Sequence, residues 1–288
     1  MNFYYVNHEN EKIDFSDFPY RFQGGDLLDW VYSYQTSQVG VKNKTRDYRR
    51  DVSTPTVQIG VGPDYTLPPD ERHAQWREDV NRLADVMEKD VIAAEDGKLW
   101  TDTGYYLRCK IIGSSKSDWT MGGIPFMFNE FQVLCDNPMW IKEYTRQFYP
   151  AGTPGSGTSG DFLDFPFDFS FDFSAPESGV ESWNIDNYAS NDFKMTIYGP
   201  CENPRILING WPYEVTDTLE SGEYIVIDSA ANTVIKYRTN GTTKDLFNDR
   251  GKLQSVFTPI PGGRITVNWS GTFGFDITIY AERTEPRW

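Results

Sequence analysis

The sequence predicts a mainly β protein carrying one amphipathic helix, and three observations support that expectation. Aromatic side chains make up 16% of the 288 residues, as 19 Phe, 17 Tyr and 9 Trp. They are set among 24 Gly and 17 Pro, a mixture that suits half-buried pleated surfaces joined by tight turns. Apolar positions fall mostly in short alternating or continuous runs, and only residues 69–92 carry a clear 3.6-residue period. A chain this long buries roughly three quarters of its unfolded surface, so a core needs no disulfide scaffold.

Residues 1–150 read as a β-sandwich-like N-terminal domain. Its expected strands are Asn2–Val6, Lys12–Phe15, Leu28–Gln35, Thr45–Val61, Leu99–Ile112 and Pro125–Val133, each rich in aromatic and β-branched residues. Between the fourth and fifth, Trp76, Val80, Leu83, Ala84, Met87 and Val91 line one helical face. Pro69, Asp70 and Glu71 suit a first turn, because the fixed proline φ and the acidic charges favour a helix N-terminus. Gly97 is the expected stop. The run PAGTPGSGTSG that follows has linker composition, which sets 151–181 apart as a linker and a Phe-rich arm. Residues 182–288 then read as strands at Phe193–Tyr198, Arg205–Ile208, Glu214–Val215, Glu223–Asp228, Thr233–Thr239, Gly263–Trp269 and Asp276–Arg283. Turn signals Asn209-Gly210, Asn240-Gly241 and Pro261-Gly262-Gly263 separate them, and this spacing predicts a β-sandwich or jelly roll.

Charge and composition exclude several function classes. With 42 acids against 27 bases the net charge is −15, and no cationic surface is available to displace counterions from nucleic acid. The cluster Arg46, Arg49, Arg50 is balanced by Asp47 and Asp51 and reads as a solvated strand or loop face. No apolar run is long enough to span a bilayer, and the first residues lack a secretory pattern, so the expectation is synthesis in the cytoplasm without membrane insertion. Cys109, Cys135 and Cys201, odd in number and far apart, read as reduced, buried thiols. The histidines, His8 and His73, both read as surface residues, and neither sits beside a recognisable nucleophile. HExxH, CxxC, GxGxxG and P-loop patterns are absent, so no catalytic, metal or cofactor residue is assigned and the chain does not read as an enzyme. Paired carboxylates of the glycosidase kind meet in space rather than along the chain, so the sequence neither places nor removes them.

The most unusual text is FPFDFSFDFS. Phe165, Phe167, Phe169, Phe171 and Phe173 occupy every second position, which puts all five rings on one face of an extended strand. Rings so arranged must be covered, because burying each is worth roughly 1.5–3 kcal/mol. Three readings stand: a core strand at the domain junction, an arm that seals one subunit to the next, and a calcium site built from Asp161, Asp164, Asp168 and Asp172. The last lacks the glycine turn and terminal Glu of a loop-type site.

Taken together, these features resemble the distal tail proteins of long-tailed phages. The alternating Phe segment ahead of the second domain is similar to that family's junction. IYGPCENPRILINGWPYEV carries matching positions at Gly199, Asn203, Pro204, Ile206, Ile208 and Gly210. SGEYIVIDSAANTVIKYRTNG carries Gly222, Glu223, Tyr224, Ile227 and Asp228. Trp269 and the terminal ERTEPRW, ending at Trp288, follow in order, and KIDFSDFPYRFQGGDLLDW and DVIAAEDGKLWTDTGYYLRCKI match the first domain. The Gly/Ser/Thr insert at 151–160 is a departure.

The resemblance implies a structural virion protein at the tail tip. Its first domain would assemble as a homo-hexameric ring between the tail tube protein and the tail-associated hub protein. Its second, a galectin-like β-sandwich, would project outward toward receptor-binding parts. DNA would pass through such a ring without being held, which a chain of charge −15 suits. The alternative is a carbohydrate-binding module recognising cell-wall saccharide, with Trp183, Trp211, Trp269 and Trp288 as stacking surfaces.

Overall fold

A computed structural model describes residues 1–117, 120–121, 124–150 and 179–288. The Phe165–Phe173 ladder and the linker before it lie outside the described residues. The chain forms two compact units, Met1–Ile141 with Arg283–Trp288, and Lys142–Glu282. Each is mainly β.

In the first unit, β1 (Phe3–Val6) pairs antiparallel with β2 (Lys12–Asp14). β3 (Tyr20–Gly25) precedes a hairpin of β4 (Ser33–Val39) and β5 (Lys42–Arg49), and β6 (Thr56–Val61) follows. After α1 (Pro69–Ala93), β7 (Gly97–Thr101) pairs with β1 and with the start of β8 (Tyr106–Ser117). Two short strands, β9 (Thr120–Met121) and β10 (Ile124–Pro125), pair with each other. The far half of β8 pairs with β11 (Met127–Leu134), β11 with β6, and β6 with β3, all antiparallel. Alternate residues of these strands, among them Tyr5, Ile13, Ile59, Leu99, Leu107, Phe131 and Val133, are buried in one core.

The helix lies where its period predicts, but its buried stripe is rotated. Leu83, Val86 and Met87 are buried in the first core, with Trp76 and Val80 packed at its edge, whereas Val91 is 42% exposed and Ala84 is also exposed. The stop is Ala94 in the left-handed conformation at φ 57°, donating back to Val91 O. Gly97 serves a different purpose. A Cβ there would sit 2.2 Å from the Tyr5 hydroxyl and 2.3 Å from Asp90 Oδ2, so only glycine lets β7 pass that pair. Asp90 is fully buried and accepts hydrogen bonds from the Tyr5 hydroxyl and from His8 N at 2.9 Å. Its Oδ1 also lies 2.5 Å from His8 Nδ1. The sequence places His8 on the surface; the structure packs it against the helix, and the hydrogen bond to Asp90 raises its pKa above 6.5.

The second unit begins within β12 (Trp140–Phe148) and continues with β13 (Gly179–Ile185) and β14 (Asp192–Tyr198). Then come β15 (Cys201–Glu202), β16 (Arg205–Ile208), β17 (Trp211–Glu214) and β18 (Thr218–Leu219). β19 (Tyr224–Asp228), β20 (Thr233–Tyr237), β21 (Thr243–Asp245), β22 (Gly263–Trp269) and β23 (Phe275–Arg283) complete it. One sheet runs β12-β23-β14-β19-β20-β21 and a second runs β13-β22-β16-β17. Their inward positions, including Phe193, Ile197, Ile225, Ile265, Val267 and Ile277, share one core, which is a two-sheet β arrangement as expected. Asn209 and Gly210, at φ 49° and 83°, make the β16–β17 turn that the Asn-Gly signal predicts.

Several strands differ from the sequence reading. Leu99–Ile112 is two strands, because Gly104 at φ 81° turns the chain between β7 and β8. Thr45–Val61 is likewise β5 and β6, separated around Pro55. The sequence places a boundary at 150, whereas Phe148 is 1% exposed in the second core. The last six residues return to the first unit.

Candidate assembly surface

The positions that carry the family-like text of the second unit prove to be turn and core positions. Gly199 is held tightly, since a Cβ there would lie 2.2 Å from Glu220 O. Asn203 at φ 47° and Gly222 at φ 84° supply left-handed turns, and Pro204 O accepts from Val215 N. Glu223 is buried and lies 2.8 Å from Lys236 Nζ, which also meets Asp217 at 3.2 Å and donates to Thr218 O. The hydrogen bond from Lys236 holds the Glu223 carboxyl below its usual range. Asp228 Oδ1 accepts from Ala231 N and closes the β19–β20 turn. Gly199, Gly222 and Glu223 come together, Gly199 N donating to Glu223 O at 2.9 Å, while Asp228, Trp269 and Trp288 stand elsewhere. None of this is a reactive constellation. Among the described residues, no group of three His, Cys, Asp or Glu side chains is placed to hold a metal ion.

The four tryptophans do not form one sugar platform. Trp269 is 3% exposed and donates to Phe273 O. Trp183 and Trp211 are half-buried against the second core, Trp211 donating to Ser255 O. Trp288 is 78% exposed but belongs to the first unit. The three cysteines are free, with Cys109 and Cys135 buried and Cys201 half-buried.

An open surface of another kind stands on the first unit. β4 and β5 form a two-stranded sheet of their own, and neither pairs with another strand among the described residues. An isolated hairpin is at best marginally stable in water, so this one needs a cover. Register decides its faces, because residues directly opposite each other share one. Val39 faces Lys42, Ser37 faces Lys44, Gln35 faces Arg46 and Ser33 faces Arg49. All four cations therefore line one face, while Tyr34 and Tyr48 touch on the hairpin at 6.3 Å between ring centres. Asp47, at φ 56°, sits where the register shifts. Arg46 and Arg49 of the cluster lie on a solvated strand face as expected, Arg49 pairing with Asp51 at 2.8 Å, while Lys42, Lys44 and Arg46 make no ion pair among the described residues. The period-two spacing of Lys42, Lys44 and Arg46 was the missed signal.

Large apolar side chains surround the hairpin. At its tip Val39 is 59% and Val41 98% exposed. At its root Trp30, Val31 and Val52 are exposed, and they line a cleft of about 310 Å³ that also includes Asp26, Asp29 and Asp51. Exposed apolar side chains therefore stand at both the tip and the root of the hairpin.

No family model matches the chain, and no curated protein matches its sequence. Solved structures do match its fold over nearly its whole length. The crystal structure of SPP1 Dit (gp 19.1), described as a paradigm of the hub adsorption apparatus in phages infecting Gram-positive hosts, aligns with TM-score 0.61 at 11% identity, covering 98% of this chain and 99% of that one. The phage P2 baseplate in its activated conformation with Ca aligns at TM-score 0.61 and 11% identity, covering 99% of each chain. The same baseplate with Sr gives the same values. The chain thus has the fold of a distal tail protein, the family that its sequence text resembles.

Proposed function

We propose that this chain is a structural subunit of a phage tail tip. In this reading the first unit self-associates into a hexameric ring, between the tail tube and the tail-associated hub. The second unit is a galectin-like sandwich, directed outward, where receptor-binding parts dock. The observation that carries the reading is the end-to-end likeness to SPP1 Dit, which involves both units rather than a shared sandwich alone. The cationic hairpin, which pairs with no other strand among the described residues, supports it, since such an element needs a covering surface to be stable. Likeness to structural baseplate proteins favours a non-enzymatic role.

Mass photometry of the full chain, alone and mixed with candidate tail tube and hub proteins, tests the proposal. The expected result is a closed oligomer of six subunits whose mass rises when either partner is added. A chain that remains monomeric alone and with both partners would overturn the reading.

A further inference from the structure

We infer that the β4–β5 hairpin of one copy seats its tip in the cleft at the hairpin root of a second copy. The inference rests on the self-assembly reading above and specifies which surfaces meet. The two surfaces match in apolar character, and acids outnumber the one cation in the cleft, three to one. The tip offers Val39 and Val41, beside the cationic stripe of Lys42, Lys44 and Arg46. The cleft is lined by the apolar Trp30, Val31 and Val52 and by Asp26, Asp29 and Arg50, and Asp26 Oδ1 accepts hydrogen bonds from Thr56 N and Thr56 Oγ1. Asp51 also lines the cleft but is engaged by Arg49 of its own chain.

The cleft cannot be filled by its own hairpin. The seven residues of β4 carry the tip roughly 20 Å from the root at about 3.3 Å per residue. A tip that enters it therefore belongs to another molecule. Such a contact joins two different patches, so it is head-to-tail and generates a ring when the rotation closes. A nucleic acid is the less favoured occupant of the cationic stripe. It would meet a chain of charge −15, and it would leave Val41 and the root cleft uncovered.

Cysteine pairing tests the contact. In full-length chain with Cys201→Ser, Val41→Cys and Val52→Cys occupy exposed positions and leave both cores untouched. Mixing the two single variants under copper–phenanthroline oxidation should give disulfide-linked dimers, whereas Val41→Cys alone should give none. Lys42→Glu with Lys44→Glu should weaken self-association at least tenfold, and mixing with Asp26→Lys/Asp29→Lys protein should restore it. Self-association without the Val41–Val52 cross-link would overturn this inference and leave the proposed function standing. Absence of any self-association, even with tube and hub present, would overturn the proposed function and this inference with it. Binding of duplex DNA that is lost in the Lys42/Lys44 variant, without the cross-link, would assign the hairpin to a polyanion and overturn the inference.

Discussion

Replacing Phe148 by Ala should unfold the second unit first. The ring is 1% exposed. It stacks on Phe275 at 4.7 Å and 10°, and meets Trp269 edge-on at 5.8 Å and Trp183 at 6.3 Å. Deleting a buried Phe side chain costs about 3–5 kcal/mol. Three aromatic contacts, each worth roughly 0.5–1.5 kcal/mol, put this site at the upper end, about 5 kcal/mol. For a unit of this size about 3 °C is lost per kcal/mol, so its melting midpoint should fall by roughly 15 °C. Differential scanning calorimetry reads that shift, and hydrogen exchange locates it. Protection should fall in β14, β19 and β23 while β1, β7 and β8 keep theirs. Loss of protection in β1 and β7 instead, or a shift under about 3 °C, would refute the assignment of Phe148 to the second core.

Gly97→Ala forces a methyl group onto the Tyr5–Asp90 pair and should destabilise the first unit by about 1–3 kcal/mol, read as a lower urea midpoint without loss of the second transition. Because the His8 pKa is raised by Asp90, its stabilising contribution is fully present below pH 6.5 and is lost as pH rises through the raised folded value. Urea midpoints of the first unit measured across that window should therefore fall in the native chain and stay flatter in His8→Gln. Lys236→Met leaves Asp217 and Glu223 facing each other without their shared cation, so it should lower the second unit's midpoint more than Glu223→Gln does, as denaturant titrations at pH 7 would show.

Much of the secondary structure was legible because local rules specify it. Period-two burial gave β14, β16, β19, β20, β22 and β23, and the Asn209-Gly210 turn held because two left-handed residues in succession favour that pair. β12 was missed: its residues Ile141, Lys142, Glu143 and Tyr144 mix charge with apolar groups, and its two ends enter different cores. Asp90 and Val86 were missed on the helix because a buried carboxylate is intelligible only once Tyr5 and His8, more than 80 residues away, are seen beside it.

The sequence by itself determined the mainly β class, the helix that follows Pro69, turns such as Asn209-Gly210 and the net acidity of the chain as a whole. Those properties depend on neighbours within a few residues or on composition. Tertiary structure alone decided where the two units divide, that Gly97 guards a buried Tyr–Asp–His contact, and that Arg49 joins Lys42, Lys44 and Arg46 on one face of a hairpin that pairs with no other strand among the described residues. Each of these depends on strand register and on packing between segments far apart in the chain. A slip of one residue in register would have turned the same cations to the opposite face.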